Sequence, residues 1–259
     1  MTTIAFLGSH PLGERCLECL HNHSDVTVAV VVTYPEDASN WWDGSVHDLA
    51  TDLGYPVLSL AEEEQICEYP VDYLLSVYYP NILGPDILNH PREAAVNLHQ
   101  AELPRYRGSN VFSHSIMNAR EDDYWQHGTT MHIMAETVDA GDILAQNFVE
   151  ITETDTAQSL YEKTRDASIA LFKETLPALI ADDIDEMRTP QETFDGPRYF
   201  YAKDSLDGMK EIPREMVADP AQERALYDRI RALDFPPFEP AYTYLGDQKV
   251  YLTKSGYGE

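Results

Sequence analysis

Asn97 and His99 stand two apart in the run Val96-Asn97-Leu98-His99. That run alternates apolar and polar residues, which is the period of a strand. Successive strand side chains point to opposite faces, so Asn97 and His99 project together. An amide beside an imidazole at a strand end makes a small catalytic device. The amide can donate a hydrogen bond to a carbonyl oxygen, and the imidazole can move a proton near neutral pH. Directly afterwards Leu103-Pro104-Arg105-Tyr106-Arg107-Gly108 turns the chain and carries two cations, with Pro fixing φ and Gly free to take positive φ. Further on, Val138-Asp139-Ala140-Gly141 forms a second turn and brings a carboxylate.

Elements that position these residues can be read on either side. Residues 3–8 make a buried first strand, and residues 12–21 a helix. The turn between them, Gly8 to Gly13, can bind phosphate at a helix N-terminus or can simply be a tight strand-to-helix turn. Residues 26–32 are a continuous β-branched run, the mark of a strand buried on both faces. A polar loop with Trp41 and Trp42 follows, then a helix at 46–53, a short strand at 55–58 and a buried strand at 72–78. Ser109 is a candidate N-cap for a helix over 109–119. Residues 128–134 return as a strand, in which His132 reads as structural, and residues 143–151 as another. Thr156 opens a long helix that Asp182 and Asp183 close. Strands alternating with helices predict an α/β fold around a doubly wound, mostly parallel sheet.

Beyond Thr189 the prolines multiply, and a helix (221–233) and a Gly246-Asp247 hairpin predict a small C-terminal α+β subdomain. The expected division is 1–194 for the catalytic unit and 195–259 for the subdomain.

The net charge is −27, and no lysine or arginine occurs between Arg15 and Arg92. Such a surface repels nucleic acid and suits a salt-rich, halophilic cytoplasm that screens self-repulsion. No apolar run is long enough to span a bilayer, and no basic segment precedes the first strand, so neither membrane nor secretion is expected. Cys16, Cys19 and Cys67 do not form a disulfide framework. Cys16 and Cys19 read as small buried residues of one helix, and no second ligand pair accompanies them, so no metal is expected.

The segment NLHQAELPRYRG (97–108) followed by VDAG (138–141) resembles the folate-dependent formyltransferase family. That family carries an Asn-x-His strand end, a Leu-Pro-x-Tyr-Arg-Gly loop and an Asp in a Leu-Asp-x-Gly turn, in this order and spacing. Where the family usually has Pro-Ser after the His, this chain has Gln100-Ala101, which bears on the loop contacts to substrate. The resemblance implies a Rossmann-like formyltransferase fold with 10-formyltetrahydrofolate as co-substrate. It also implies an amine acceptor. Asn97 would bond the formyl oxygen, His99 would shuttle protons, and Asp139 would orient His99 or a water. By position, Asn81, Ile82 and Leu83 match the residues that grip the pterin, and Ala135 and Glu136 match a second pterin-contacting turn. Residues 230–238 resemble the C-terminal appendage of sugar N-formyltransferases. A nucleotide-linked amino sugar is therefore the expected acceptor, with Arg105 and Arg107 meeting its diphosphate. Methionyl-tRNA is the alternative; from Tyr199 onward the chain carries eight basic and eleven acidic residues, a poor platform for RNA. A formyl-folate hydrolase, a non-catalytic folate-binding protein and a homodimer stay open.

Overall fold

The computed structural model describes residues 1–181 and 183–254. Eleven strands occur among them: β1 Thr2–Gly8, β2 Val26–Thr33, β3 Val57–Ser59, β4 Tyr73–Val77, β5 Ala94–His99, β6 Tyr106–Gly108, β7 Gln126–Ile133, β8 Ile143–Glu150, β9 Tyr199–Tyr201, β10 Ala241–Leu245 and β11 Gln248–Leu252. The helices are α1 His10–His21, α2 Val46–Asp52, α3 Pro85–Leu88, α4 Val111–Ala119, α5 Ala157–Ala181, α6 Ile184–Met187, α7 Arg214–Val217 and α8 Glu223–Ala232, with a longer 3-10 turn at Leu60–Glu68.

Seven strands form the main sheet in the order β3-β2-β1-β4-β5-β7-β8. The first five run parallel, and β7 and β8 continue antiparallel. Both faces are covered, which is why these strands carry few polar residues. Ile4 and Phe6 of β1 join one core layer with α1 and α5, while Ala5 and Leu7 join the opposite layer with Ile66 and Ile87. In α1 the buried positions Leu12, Cys16, Leu17 and Leu20 form one helical stripe. Leu17 is fully buried, so Leu17→Ala would cost about 2–5 kcal/mol.

Several boundaries differ from the sequence reading. The N-cap of α4 is Asn110, not Ser109; Asn110 takes φ 57°, a left-handed conformation that asparagine tolerates. Reciprocal bonds between Thr156 and Ser159 open α5 as expected. The expected stop at Asp182-Asp183 falls partly on Asp182, outside the described residues. The hairpin turns through Gly246 at φ +65°, with Leu245 paired to Gln248.

Residues beyond 190 are stitched onto the main unit. β9 pairs parallel with β6, so Tyr106 meets Tyr199 and Gly108 meets Tyr201. Gly108 has φ +88°, and a Cβ there would lie 2.2 Å from Tyr201 O, so this crossing requires glycine. Arg231 of α8 is fully buried; it bonds Thr152 O, Asp155 O and the Asp228 carboxylate. A small separate cluster, Ile212, Leu226, Leu233 and Ala241, underlies the hairpin.

Candidate active site

β5 ends at the carboxyl edge of the parallel strands and presents Asn97 and His99 on the same face as Ala95. Asn97 pairs with His132 across the antiparallel β5–β7 ladder. That register puts Asn97 Nδ2 3.1 Å from His132 Nε2. His132 Nδ1 lies 2.8 Å from Ile133 O, and a carbonyl only accepts, so Nδ1 carries the hydrogen. Nε2 is then a lone pair, and the Asn97 amide must turn its NH2 toward it. His132 Nε2 also lies 3.6 Å from Asp139 Oδ1. Burial nevertheless lowers the His132 pKa to about 4, outweighing the carboxylate, so the contact is with a neutral ring. His132, read from sequence as structural, thus stands inside the site as the residue that sets the Asn97 amide.

His99 Nε2 is 2.9 Å from Tyr106 O and donates to it. The other nitrogen, Nδ1, faces Asp139 Oδ1 at 3.8 Å. This distance is too long for a direct hydrogen bond. The exchangeable proton of this ring is therefore the one on Nδ1. Asp139 sits in a tight turn at φ 52°, and its Oδ2 accepts from Gly108 N at 2.8 Å. A Cβ on Gly141 would approach Ile133 O to 1.9 Å, so only glycine closes this turn against β7.

The turn is also held from a distance in sequence. Gln191 is buried, and its Nε2 donates to Asp139 O at 2.8 Å and to Gly141 O at 2.7 Å. Its Oε1 accepts from Arg107 Nε and Nη2. Nothing in the sequence around Gln191 signals this role.

The expected site residues separate into two groups. Asn97, His99 and Asp139 converge, and Arg107 stands close enough to bias His132 and to feel Asp139. Arg105 does not join them. Its guanidinium pairs with Asp122 at 2.7 Å and lies 4.0 Å over the Tyr124 ring, buried in a structural contact. The expectation that it meets a diphosphate is corrected accordingly: its charge is already matched and covered.

The two expected folate-gripping segments reach the same face of β5. Leu83 is buried and Met134 half-buried in the core layer that contains Ala95, which brings residues 81–83 and 134–136 to the Asn97 side. Ile82 is 75% exposed, and Ala135 and Glu136 are exposed. Asn81 donates to Glu63, which also accepts from Tyr79 OH at 2.6 Å, so the loop is braced from behind. Ile82 thus offers an apolar, exposed side chain on this loop. Among the described residues no group of acidic, His or Cys side chains could hold a metal ion, and no helix is long and apolar enough to cross a membrane.

A sheet of this order is Rossmann-like, and the Asn–His–Asp cluster at its carboxyl edge supplies the hydrogen-bond donor and proton carrier that acyl transfer needs. The formyl transferase family profile matches residues 2–176, and this chain belongs to that family. It is 35% identical over 185 residues to a bifunctional polymyxin resistance protein ArnA of Wigglesworthia glossinidia brevipalpis, which accounts for 71% of this chain. The aligned part is 26% of that relative, so the chain spans about a quarter of its length. Among solved structures, a 4-N formyltransferase from Francisella tularensis superposes with TM-score 0.79 at 18% identity, covering 97% of this chain and 96% of that one. An N-formyltransferase from Helicobacter canadensis, in complex with folinic acid and dTDP-3-aminofucose, gives TM-score 0.75 at 20% identity, covering 97% and 87%.

Proposed function

We propose that this protein transfers the formyl group of 10-formyltetrahydrofolate to the primary amine of a nucleotide-linked amino sugar. The observation that carries the reading is the convergence of Asn97, His99 and Asp139 between two exposed loops on one face of β5. The structurally similar N-formyltransferase from Helicobacter canadensis, solved in complex with folinic acid and dTDP-3-aminofucose, supports the same pair of substrates.

Each residue has a definite task in this reading. Asn97, its amide turned by His132, offers its second N–H to the formyl oxygen as negative charge builds there. The acceptor nitrogen attacks the formyl carbon, and His99 Nδ1 takes the proton that this nitrogen sheds. His99 then returns the proton to the folate nitrogen as the old carbon–nitrogen bond breaks. The products are a formamide and tetrahydrofolate. Asp139 faces Nδ1 and stabilises the imidazolium between the two transfers. The loops at 81–83 and 135–136 hold the donor, so that much of the rate comes from placing both reactants together. Arg107, whose Nη1 has no hydrogen-bond partner among the described residues, serves the acceptor's phosphates.

The 195–259 segment acts as a small subdomain whose first strand and neighbouring Gln191 brace the catalytic loops. The acidic surface is adaptation to a saline cytoplasm; raising potassium chloride should raise the melting temperature, and a fall would argue against it.

The test is formyl transfer to amino-sugar nucleotides and to initiator methionyl-tRNA in one buffer. Transfer to the sugars alone is expected. Transfer to the tRNA alone would overturn the acceptor while leaving the donor and the catalytic residues standing.

A further inference from the structure

A second feature of the sheet's carboxyl edge takes no part in the formyl transfer just described. The connections from β1 run to β2 on one side and, after β3, to β4 on the other, so the strand order reverses between β1 and β4. Ligands of open α/β sheets bind in the crevice at such a reversal. Here the crevice is occupied by an aromatic group around His10.

The His10 ring is packed against aromatic neighbours. The Trp42 ring stacks on it at 3.4 Å between centroids, and Tyr78 covers it at 3.8 Å. His10 holds φ 64°, outside the range a histidine usually adopts, and these rings keep it there. The residue is 6% exposed. Nδ1 is 2.7 Å from Ser9 Oγ, and the Ser9 hydroxyl donates its single proton to Tyr78 O. Ser9 Oγ can therefore only accept from His10, so Nδ1 bears the hydrogen and Nε2 is a bare lone pair. Nε2 has no partner among the described residues. Burial lowers the His10 pKa to about 3, so the ring stays neutral and the lone pair stays available.

His10 borders a cleft of about 180 Å³ whose walls include Tyr34, Glu36, Trp42 and Asp48. Whole-ligand pockets measure roughly 300–1,000 Å³, so this one admits a single ring rather than a whole acceptor. Its lining contains no lysine or arginine and includes two carboxylates. Pro11 in the first turn of α1 also removes a backbone donor there. The phosphate site suggested by the Gly8–Gly13 turn is therefore not what the structure builds. Neighbouring strands are about 4.8 Å apart, which places the ends of β1 and β2 roughly 10–14 Å from the end of β5.

We infer that this cleft is the base subsite of the acceptor, taking the single ring of uracil or thymine. The imide N–H of the base donates to His10 Nε2, Trp42 and Tyr34 frame the ring, and the phosphates lie outside. The inference rests on the acceptor being a nucleotide-linked sugar, and it adds which base is read and by which residues.

The experiment is calorimetric titration of the intact protein with uridine diphosphate, thymidine diphosphate and their N3-methyl derivatives. Methylation removes the donor and leaves the ring and phosphates in place. At least one unmethylated nucleotide should bind at least about tenfold tighter than its methylated form, the range for a buried acceptor left unpaired. The tighter of the two identifies the base. His10→Phe should abolish the difference, and Trp42→Leu should weaken the nucleotide and its methylated form alike, with melting curves confirming folded protein. Equal affinity for methylated and unmethylated nucleotides in the native protein overturns the subsite without recourse to any variant. Formyl transfer measured on the same preparation separates the two readings. Transfer to amino-sugar nucleotides with no effect of N3-methylation removes the base subsite and leaves the function. Neither transfer nor nucleotide binding removes both.

Discussion

Two regions of one sheet edge are built on different principles. At the β5–β7 end, polar groups are held by hydrogen bonds of fixed direction: Asn97 to His132, His99 to Tyr106 O, Asp139 to Gly108 N. At the β1–β2 end, aromatic rings hold one another and His10 by stacked, tilted and edge-on contacts. For the proposed reaction the first region should tolerate little movement, because proton transfer and oxyanion stabilisation need geometry held to about 0.5 Å. The second presents surface and one lone pair, which is what recognition by shape requires. In the proposed reading chemistry and recognition are divided along the edge, and substitutions in the two regions should act on different kinetic constants.

The largest effects should come from the β5–β7 region. His99→Ala, Asn97→Ala and Asp139→Asn are each expected to lower turnover by about a hundredfold or more, the scale of lost general acid–base or oxyanion contributions. Melting temperature should report that each variant still folds. Near-normal turnover in any of them would remove that residue from the mechanism.

His132→Leu should come next, lowering kcat about tenfold with the KM for formyl-folate little changed, since one hydrogen bond that orients Asn97 is lost. His132→Gln retains an acceptor for the Asn97 amide and should recover part of the loss. If the leucine and glutamine variants behave alike, His132 acts by packing only. Gln191→Ala should be milder, a several-fold loss of kcat with a lowered melting temperature, because the Asp139 turn keeps its bond to Gly108.

The extent to which these residues were legible in the sequence follows from how each is placed. Asn97 and His99 could be read because strand alternation alone puts them on one face. Asp139 could be read because a tight turn ending in glycine announces itself. His132 could not, since it lies in a buried strand between Met131 and Ile133. Its meaning arises only from the register that sets it opposite Asn97. Gln191 was equally hidden: its partners Asp139 and Gly141 are some fifty positions away and are reached through backbone carbonyls, which leave no trace in residue type. Arg105 and Arg107 look equivalent in LPRYRG. They separate because Asp122 and Tyr124 happen to fold against one of them. The mostly parallel pairing of the strands was implied by their alternation with helices, whereas the docking of α8 through Arg231 onto the Thr152–Asp155 turn was not.

The smallest expected effect is on stability and joins both regions. Burial lowers the pKa of His10 to about 3 and those of His114, His127 and His132 to about 4, from an ordinary value of 6.5. The unfolded chain therefore binds more protons than the folded one between these values, and folding stability rises with pH across that interval. Melting temperature should be fully maintained above about pH 6.5 and fall steadily toward pH 4, as unfolding lets these rings charge. A flat profile over that window would mean the rings are charged or hydrated in the folded state. His132→Leu should flatten part of the slope.

The most direct measurement follows the formyl group itself. Purified protein is given 10-formyltetrahydrofolate and an amino-sugar nucleotide, and the acceptor's mass and the tetrahydrofolate released are recorded, with His99→Ala alongside. The account predicts an acceptor heavier by one formyl group, formed in step with tetrahydrofolate, and almost none with the variant. Tetrahydrofolate released together with free formate and an unmodified acceptor, or equal product from the variant, would contradict it.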